Sequence, residues 1–168
     1  MKKYLLSFIL IGSLVSCKKE TPEAPENAGP QIIAATVVLD PVNYAPGVTK
    51  VLTNAIQLNY GAIKVGKSMN LALASITPDI MANYSVHIYL KSGGKYYHLP
   101  ALSPMGISYT YTLKAAFPFC NTTVTRPPGV PEMFDDVIVV AAKNSYLLAM
   151  TPSLNFSDYN AVKIKLGL

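Results

Sequence analysis

The chain has 168 residues, of which 51% are hydrophobic and 14% are charged. This composition excludes general disorder, which needs low hydrophobicity and high charge. The length predicts one folded domain rather than two. A helical membrane bundle is also excluded, because the longest largely apolar run, residues 4–15, is shorter than the roughly 20 residues that cross a bilayer.

The net charge is +5, but the 14 basic residues are scattered along the chain and include a single arginine, Arg126. Proteins that bind nucleic acid carry clustered Lys and Arg on one face. No cluster of that kind is present in the sequence, so we expect no nucleic-acid partner.

The first residues are organised like an export signal. Residues 2–3 are lysines, residues 4–14 form a short apolar core, and the small Ser16 precedes Cys17. This end resembles the lipobox of bacterial lipoproteins, in which the signal is cut before the cysteine and the cysteine carries fatty acyl chains such as palmitate. The resemblance implies a signal peptide at 1–16 and lipid attachment at Cys17. The competing interpretation is a buried N-terminal helix with an incidental cysteine.

A polar, proline-rich segment follows at 17–31. Proline favours extended backbone and polar residues cannot form a core, so this segment is predicted to be a tether to a folded domain at 32–168. Lys18 stands where enteric lipoproteins retained at the inner membrane have Asp. The lipoprotein resemblance therefore implies the outer membrane, with the periplasmic or the surface face left open.

Most of the remaining sequence alternates apolar and polar residues with period two, which is typical of half-buried strands. Proline and glycine separate these runs. The predicted strands are 32–39, 55–60, 69–75, 84–91, 96–99, 107–113, 137–142 and 145–150. About eight short strands predict an all-β fold, a single antiparallel β-sandwich of immunoglobulin-like or jelly-roll-like type. The continuously apolar run at 137–142 is expected to be a central strand.

A hairpin at 84–100 is the clearest local unit. Gly93-Gly94 suits a two-residue turn that needs positive φ at both positions. That turn pairs Tyr89 with His98 and places Tyr89, Tyr96 and His98 on the outer face, where they are candidate contact residues for a ligand. A four-residue loop would instead oppose His87 to His98, and only in that register could the two histidines bind a metal.

Residues 157–166 fit either a strand or a helix. Val162, Ile164 and Leu166 alternate as a strand would. Ser157 is a suitable helix N-cap and Gly167 a suitable stop, so we expect a short C-terminal helix.

No catalytic signature is present. The sequence lacks the Gly-x-Ser-x-Gly and His-Glu-x-x-His motifs. Cys120 is left without a disulfide partner once Cys17 is lipidated, and its apolar setting predicts a small buried side chain. We therefore expect no enzyme activity, no cofactor and no metal. A hydrolase would require Asp79, Glu132, Asp135 or Asp136 to converge with each other or with a histidine.

The segments ITPDIMANYSVHIYLKSGGKYYHLP, SYTYTL and FDDVIVV resemble lipoproteins of Bacteroidetes whose function is not established. These proteins share a similar order of strands and a glycine-containing hairpin turn. The resemblance covers the C-terminal half to two thirds of the chain, and its motifs are structural, so it implies no activity. The matching positions are Ile76, Thr77, Asp79, Val86, Tyr89, Tyr97, Leu99 and Pro100.

The sequence thus predicts a membrane-anchored, exported lipoprotein with a non-enzymatic β-domain that serves in binding or envelope structure. Its predicted partners are the membrane, through the lipid, and a glycan or an envelope protein. The alternative is a glycan-recognition module of a polysaccharide-uptake system, which the excess of tyrosine would support. A hydrolase is the third and least favoured class.

Overall fold

A computed structural model describes residues 42–150 and 154–168. The predicted signal peptide, Cys17, the tether and the strand predicted at 32–39 lie outside these residues. The described residues are mostly β, with twelve strands where about eight were expected, and three short helices. None of the described helices is long and apolar enough to cross a membrane.

The strands in chain order are β1 (Val42–Tyr44), β2 (Val48–Val51), β3 (Ala55–Asn59), β4 (Ile63–Val65), β5 (Ser68–Leu73), β6 (Tyr84–Ser92), β7 (Lys95–His98), β8 (Ala101–Leu102), β9 (Ser108–Lys114), β10 (Cys120–Thr125), β11 (Glu132–Phe134) and β12 (Asp136–Lys143). The helices are α1 (Pro78–Asn83), α2 (Asn144–Met150) and α3 (Tyr159–Leu166).

The strands form three sheets. The first sheet has the order β1-β5-β10-β9-β8, and the second has the order β2-β3-β12-β6-β7. A two-stranded sheet of β4 and β11 is the third. The run at 137–142 lies in the central strand of the second sheet, as predicted. Pairing is antiparallel except between β1 and β5, which run parallel. The prediction of a wholly antiparallel fold is therefore wrong for this edge of the first sheet.

One hydrophobic core receives side chains from both five-stranded sheets. Leu71 and Val124 enter it from the first sheet, and Leu58, Ile88 and Val139 enter it from the second. Burial of this apolar surface supplies most of the driving force for folding. Cys120 is also fully buried in this core, as its apolar setting predicted.

The second sheet is covered on its other face by α3. Tyr159, Val162 and Leu166, spaced along one side of this helix, pack against Ile138 and Val140 of β12. Both faces of β12 are therefore buried, which explains why its sequence is continuously apolar instead of alternating.

The predicted C-terminal helix is confirmed. The Asp158 side chain accepts a hydrogen bond from the backbone N–H of Ala161, so the N-cap lies one residue later than the predicted Ser157. Gly167 ends the helix with φ of 71°, a left-handed conformation that glycine adopts without steric cost.

The prediction of a strand at 145–150 is wrong, because these residues belong to α2. The two edges of β12 are already paired with β3 and β6, so no position beside it remains for another strand. The sequence then follows the helix propensity of its Leu, Ala and Met residues.

Candidate functional site

The hairpin formed by β6 and β7 has the predicted two-residue turn. Gly93 and Gly94 both have positive φ, at 55° and 75°. Tyr89 pairs with His98, and Ser92 pairs with Lys95. The predicted register, and with it the assignment of residues to the two faces, is confirmed.

Tyr89, Tyr96 and His98 share the outer face, but the expectation that Tyr89 is accessible there is wrong. Tyr89 is fully buried, and its hydroxyl donates a hydrogen bond to the backbone oxygen of Phe156 at 2.9 Å. Tyr96 and His98 are partly buried. The Tyr159 ring lies 5.0 Å from that of Tyr89 and 4.4 Å from that of Tyr96 between centroids. The reason is that α3 and the residues before it cover this face.

The other tyrosines are also inward-facing. Every tyrosine in the described part of the chain is buried or partly buried, and none is exposed. An exposed row of rings is what a tyrosine-based glycan surface would need. The excess of tyrosine therefore serves the core, where aromatic rings contribute large buried areas.

His87 and His98 form a pair that the sequence did not predict in this register. The Nδ1 atom of His87 lies 3.0 Å from Nε2 of His98, although the two residues are not opposite each other. They are diagonal neighbours on adjacent strands, which is within reach of ring side chains. The His87 ring also stacks on Phe156, with centroids 3.8 Å apart and planes 6° from parallel.

The surroundings of this histidine pair favour the neutral form of both rings. Burial, reinforced by the nearby His98, lowers the pKa of His87 to about 4, and burial also lowers the pKa of His98. The Nε2 atom of His87 is buried without a hydrogen-bond partner. Within the described ranges, no three His, Cys, Asp or Glu side chains come together in a way that could hold a metal.

A groove with a mainly apolar lining lies at one end of the first sheet. It lies between the loop that joins β8 to β9 and the loop that joins β10 to β11, and it encloses about 530 Å³. Leu102, Met105 and Val130 line it and are 62%, 61% and 75% exposed. Exposed apolar side chains gathered in one place are typical of an interaction site.

Arg126 borders this groove and is only 6% exposed. Its Nη1 atom donates a 2.7 Å hydrogen bond to the backbone oxygen of Val130, and its Nε atom donates one of 3.1 Å to that of Pro127. The guanidinium therefore fixes the loop that forms one wall of the groove. Sequence reasoning missed this role because a single arginine carries no pattern.

Hydrogen bonds through the Tyr109 hydroxyl link the Arg126 guanidinium to the buried carboxylate of Glu132. The tyrosine hydroxyl donates to Oε2 of Glu132 at 3.0 Å and accepts from Nη1 of Arg126 at 3.5 Å. Tyr109 is fully buried, and Glu132 is 5% exposed. Burial, together with the hydrogen bond to Glu132, raises the pKa of Tyr109 to about 12.

The remaining candidate acids have structural contacts. Asp135 accepts a hydrogen bond from the backbone N–H of Gly93 at 2.9 Å. Asp136 accepts one from the backbone N–H of Gly61 at 2.8 Å. Asp79 is exposed in the first turn of α1. In the described residues the two histidines contact each other, and the hydrogen bonds of Glu132 and Asp135 go to Tyr109 and Gly93.

Comparison with protein-family models, with curated proteins and with solved structures finds no match to this chain. The groove and the two buried polar clusters are therefore interpreted from their own chemistry.

Proposed function

We propose that the protein is an exported lipoprotein, anchored to the outer membrane through Cys17, whose β-rich domain binds a partner or supports the envelope without catalysis. The observation that carries this proposal is the order of the first 17 residues. A positive start, a short apolar core, Ser16 and then Cys17 occur in the sequence and spacing of a lipoprotein signal. A polar, proline-rich segment separates Cys17 from the folded part.

The domain is proposed to be a β-sandwich. Two five-stranded sheets that contribute side chains to one core support this architecture. The immunoglobulin-like and jelly-roll-like forms are the two variants that the sequence predicts. The proposal of binding without catalysis is supported by the groove and by the hydrogen bonds of Glu132, Asp135 and Asp136, which go to Tyr109, Gly93 and Gly61.

Glycan recognition receives less support than the sequence alone gave it. Its main argument was a surface of tyrosine rings, and the described tyrosines lie in or against the core. The groove beside Arg126 offers aliphatic side chains instead of aromatic rings. We therefore favour a partner that contacts aliphatic surface.

The lipid anchor is tested by labelling cells with a fatty acid analogue and comparing two single variants. Cys17→Ala should lose the acyl label, and the protein should leave the membrane fraction. Cys120→Ala is the matched control, because it removes the second of the two cysteines and should keep the label. A Cys17→Ala protein that is cleaved and membrane-bound like the wild type would refute the anchor.

A further inference from the structure

We propose that the groove end of the domain rests on the surface of the phospholipid bilayer, with Leu102, Met105 and Val130 dipping into the headgroup region. This surface is here named the groove lip and consists of those three residues. The inference rests on the proposed lipid anchor, because it states how an anchored domain meets its membrane. It gives the exposed apolar residues at this end a partner of defined chemistry.

The first observation is where the chain enters the domain. Val42, the first residue of β1, pairs with Met69 near the start of β5. Ser68 at that start pairs with Thr125 at the end of β10. Because β1 runs parallel to β5, Val42 lies at the end of the sheet where β10 leads into Arg126 and the groove. The first described residue of the chain is therefore at the same end of the sheet as the groove lip, on the opposite edge from β8.

The second observation is the exposure of the groove lip. Its three side chains are all more than half exposed. Such residues lose contact with water when they enter the boundary between headgroups and acyl chains. A lipid anchor raises the local concentration of bilayer around the domain, so a modest apolar surface is sufficient for contact.

The third observation is the position of positive charge. The backbone N–H of Arg126 donates to the backbone oxygen of Lys67 at 3.1 Å, so these two residues are neighbours. Lys67 is exposed, whereas Arg126 is 6% exposed and its guanidinium is bound to backbone oxygens and to the Tyr109 hydroxyl, so the accessible charge at this position is that of Lys67. Lipid phosphates are anions, and basic residues beside an apolar contact strengthen binding to membranes that contain anionic lipid.

An exposed aromatic loop at the other end is the competing membrane contact. Phe117 is 96% exposed in the loop between β9 and β10. The end of β5 at Leu73 pairs with Cys120, so this loop lies at the end opposite to the entry of the chain. The entry point favours the groove lip over Phe117 as the side that faces the bilayer.

Tryptophan reporters can decide between the two ends, because the chain has no tryptophan. Met105→Trp places a reporter in the groove lip, Phe117→Trp places one in the opposite loop, and Ile164→Trp places one on the exposed side of α3. Each full-length lipidated protein is reconstituted in vesicles of phosphatidylethanolamine and phosphatidylglycerol that carry brominated acyl chains. We expect a blue shift and loss of most emission for Met105→Trp, and an unchanged spectrum for the other two.

Two other outcomes would overturn the inference. Quenching of Phe117→Trp without quenching of Met105→Trp would place the opposite end on the bilayer. Emission that is unchanged in all three proteins would show that the groove lip faces away from lipid, as it would if it contacted a protein.

A second experiment distinguishes failure of the membrane-contact proposal from failure of the lipid-anchor proposal. The same reporters are placed in Cys17→Ala protein and mixed with the same vesicles in excess. A blue shift of Met105→Trp in this protein supports the groove lip as the membrane contact even if Cys17 carries no lipid. The shift should be abolished when Leu102→Ser and Val130→Ser are added together, and it should persist when Leu148→Ser is added instead. Loss of the anchor in cells together with no shift in either experiment would refute both proposals.

Discussion

Two buried polar clusters in this domain satisfy their hydrogen bonds to different degrees. Beside the core that the two sheets share, Arg126 and Glu132 are both bound to the Tyr109 hydroxyl, and Arg126 also donates to two backbone oxygens. On the outer face of the second sheet, His87 and His98 bind each other, and one nitrogen of His87 has no hydrogen-bond partner.

The difference follows from how many elements supply partners at each place. The arginine cluster lies where β9, β11 and the loop after β10 meet, so the guanidinium has a hydroxyl and two carbonyl oxygens as partners, and the hydroxyl links it to the Glu132 carboxylate. The histidine cluster lies between two adjacent strands and the ring of Phe156, which offers no polar atom to the second nitrogen of His87. Polar partners stabilise a buried charge, and burial without such partners favours the neutral form of a group.

The largest effect is expected from Glu132→Gln. The amide keeps the shape of the side chain but removes the charge that balances Arg126, and an uncompensated buried charge costs about 3 kcal/mol or more of unfolding free energy. Chemical denaturation at pH 7.5 should measure this loss. Asp79→Asn, which neutralises an exposed carboxylate, is the control and should change the stability by less than about 0.5 kcal/mol.

A second variant tests whether the cluster acts as a unit. Combining Glu132→Gln with Arg126→Met removes both charges, and the double variant should be less destabilised than the sum of the two single variants. Additive losses would show that Arg126 and Glu132 are independent, contrary to their shared contact with Tyr109.

The second expected effect is a loss of stability in mild acid, caused by the histidine pair. The pKa of His87 is about 4 in the folded protein, against 6.5 for an unperturbed histidine. Between these values the unfolded chain binds more protons than the folded one, so the unfolding free energy falls as the pH falls from 6.5 towards 4. The loss over this window should be about 2 to 3 kcal/mol.

The control for the stability loss between pH 6.5 and 4 is His87→Phe, which keeps a ring against Phe156 and removes the titrating group. Denaturation curves at pH 7.5, 6 and 5 should show a shallower pH dependence for this variant than for the wild type. Equal slopes would mean that other groups, such as carboxylates, set the acid sensitivity.

The comparison also shows what sequence reasoning can reach. The hairpin register was predictable because alternation and Gly93-Gly94 are local signals that agree with each other. The burial of Tyr89 was not, because alternation separates two faces without saying what covers the second one, and that cover is α3, far along the chain. The histidine contact was missed for a related reason, since a diagonal contact is decided by ring orientation and not by register.

The arginine cluster was beyond prediction for another reason. Arg126, Tyr109 and Glu132 come from three separate elements, and none of them is part of a recognisable motif. Their association depends on how β9 and β11 are placed around the end of β10. Single polar residues of this kind acquire a role only from the assembled topology.

The smallest expected effect tests how firmly the arginine cluster holds the groove. A Cβ atom at Gly129 would lie 2.7 Å from Nη2 of Arg126, which is too close for an unstrained contact. Because hydrogen bonds to Val130 and Pro127 pin the guanidinium, Gly129→Ala should cost about 1 kcal/mol, measured by denaturation. Gly47→Ala is the matched control, since its Cβ would meet its nearest neighbour at 3.8 Å, and it should be nearly neutral.

The Arg126→Met background sharpens this test. Without the guanidinium the added methyl group has space, so the cost of Gly129→Ala should largely disappear there. If the cost is the same in both backgrounds, the strain comes from the loop backbone, and Arg126 is free to move when Gly129 is replaced. A penalty that depends on Arg126 would instead show that the charged cluster and the wall of the groove form one rigid unit, which is what a fixed contact surface at this end of the domain requires.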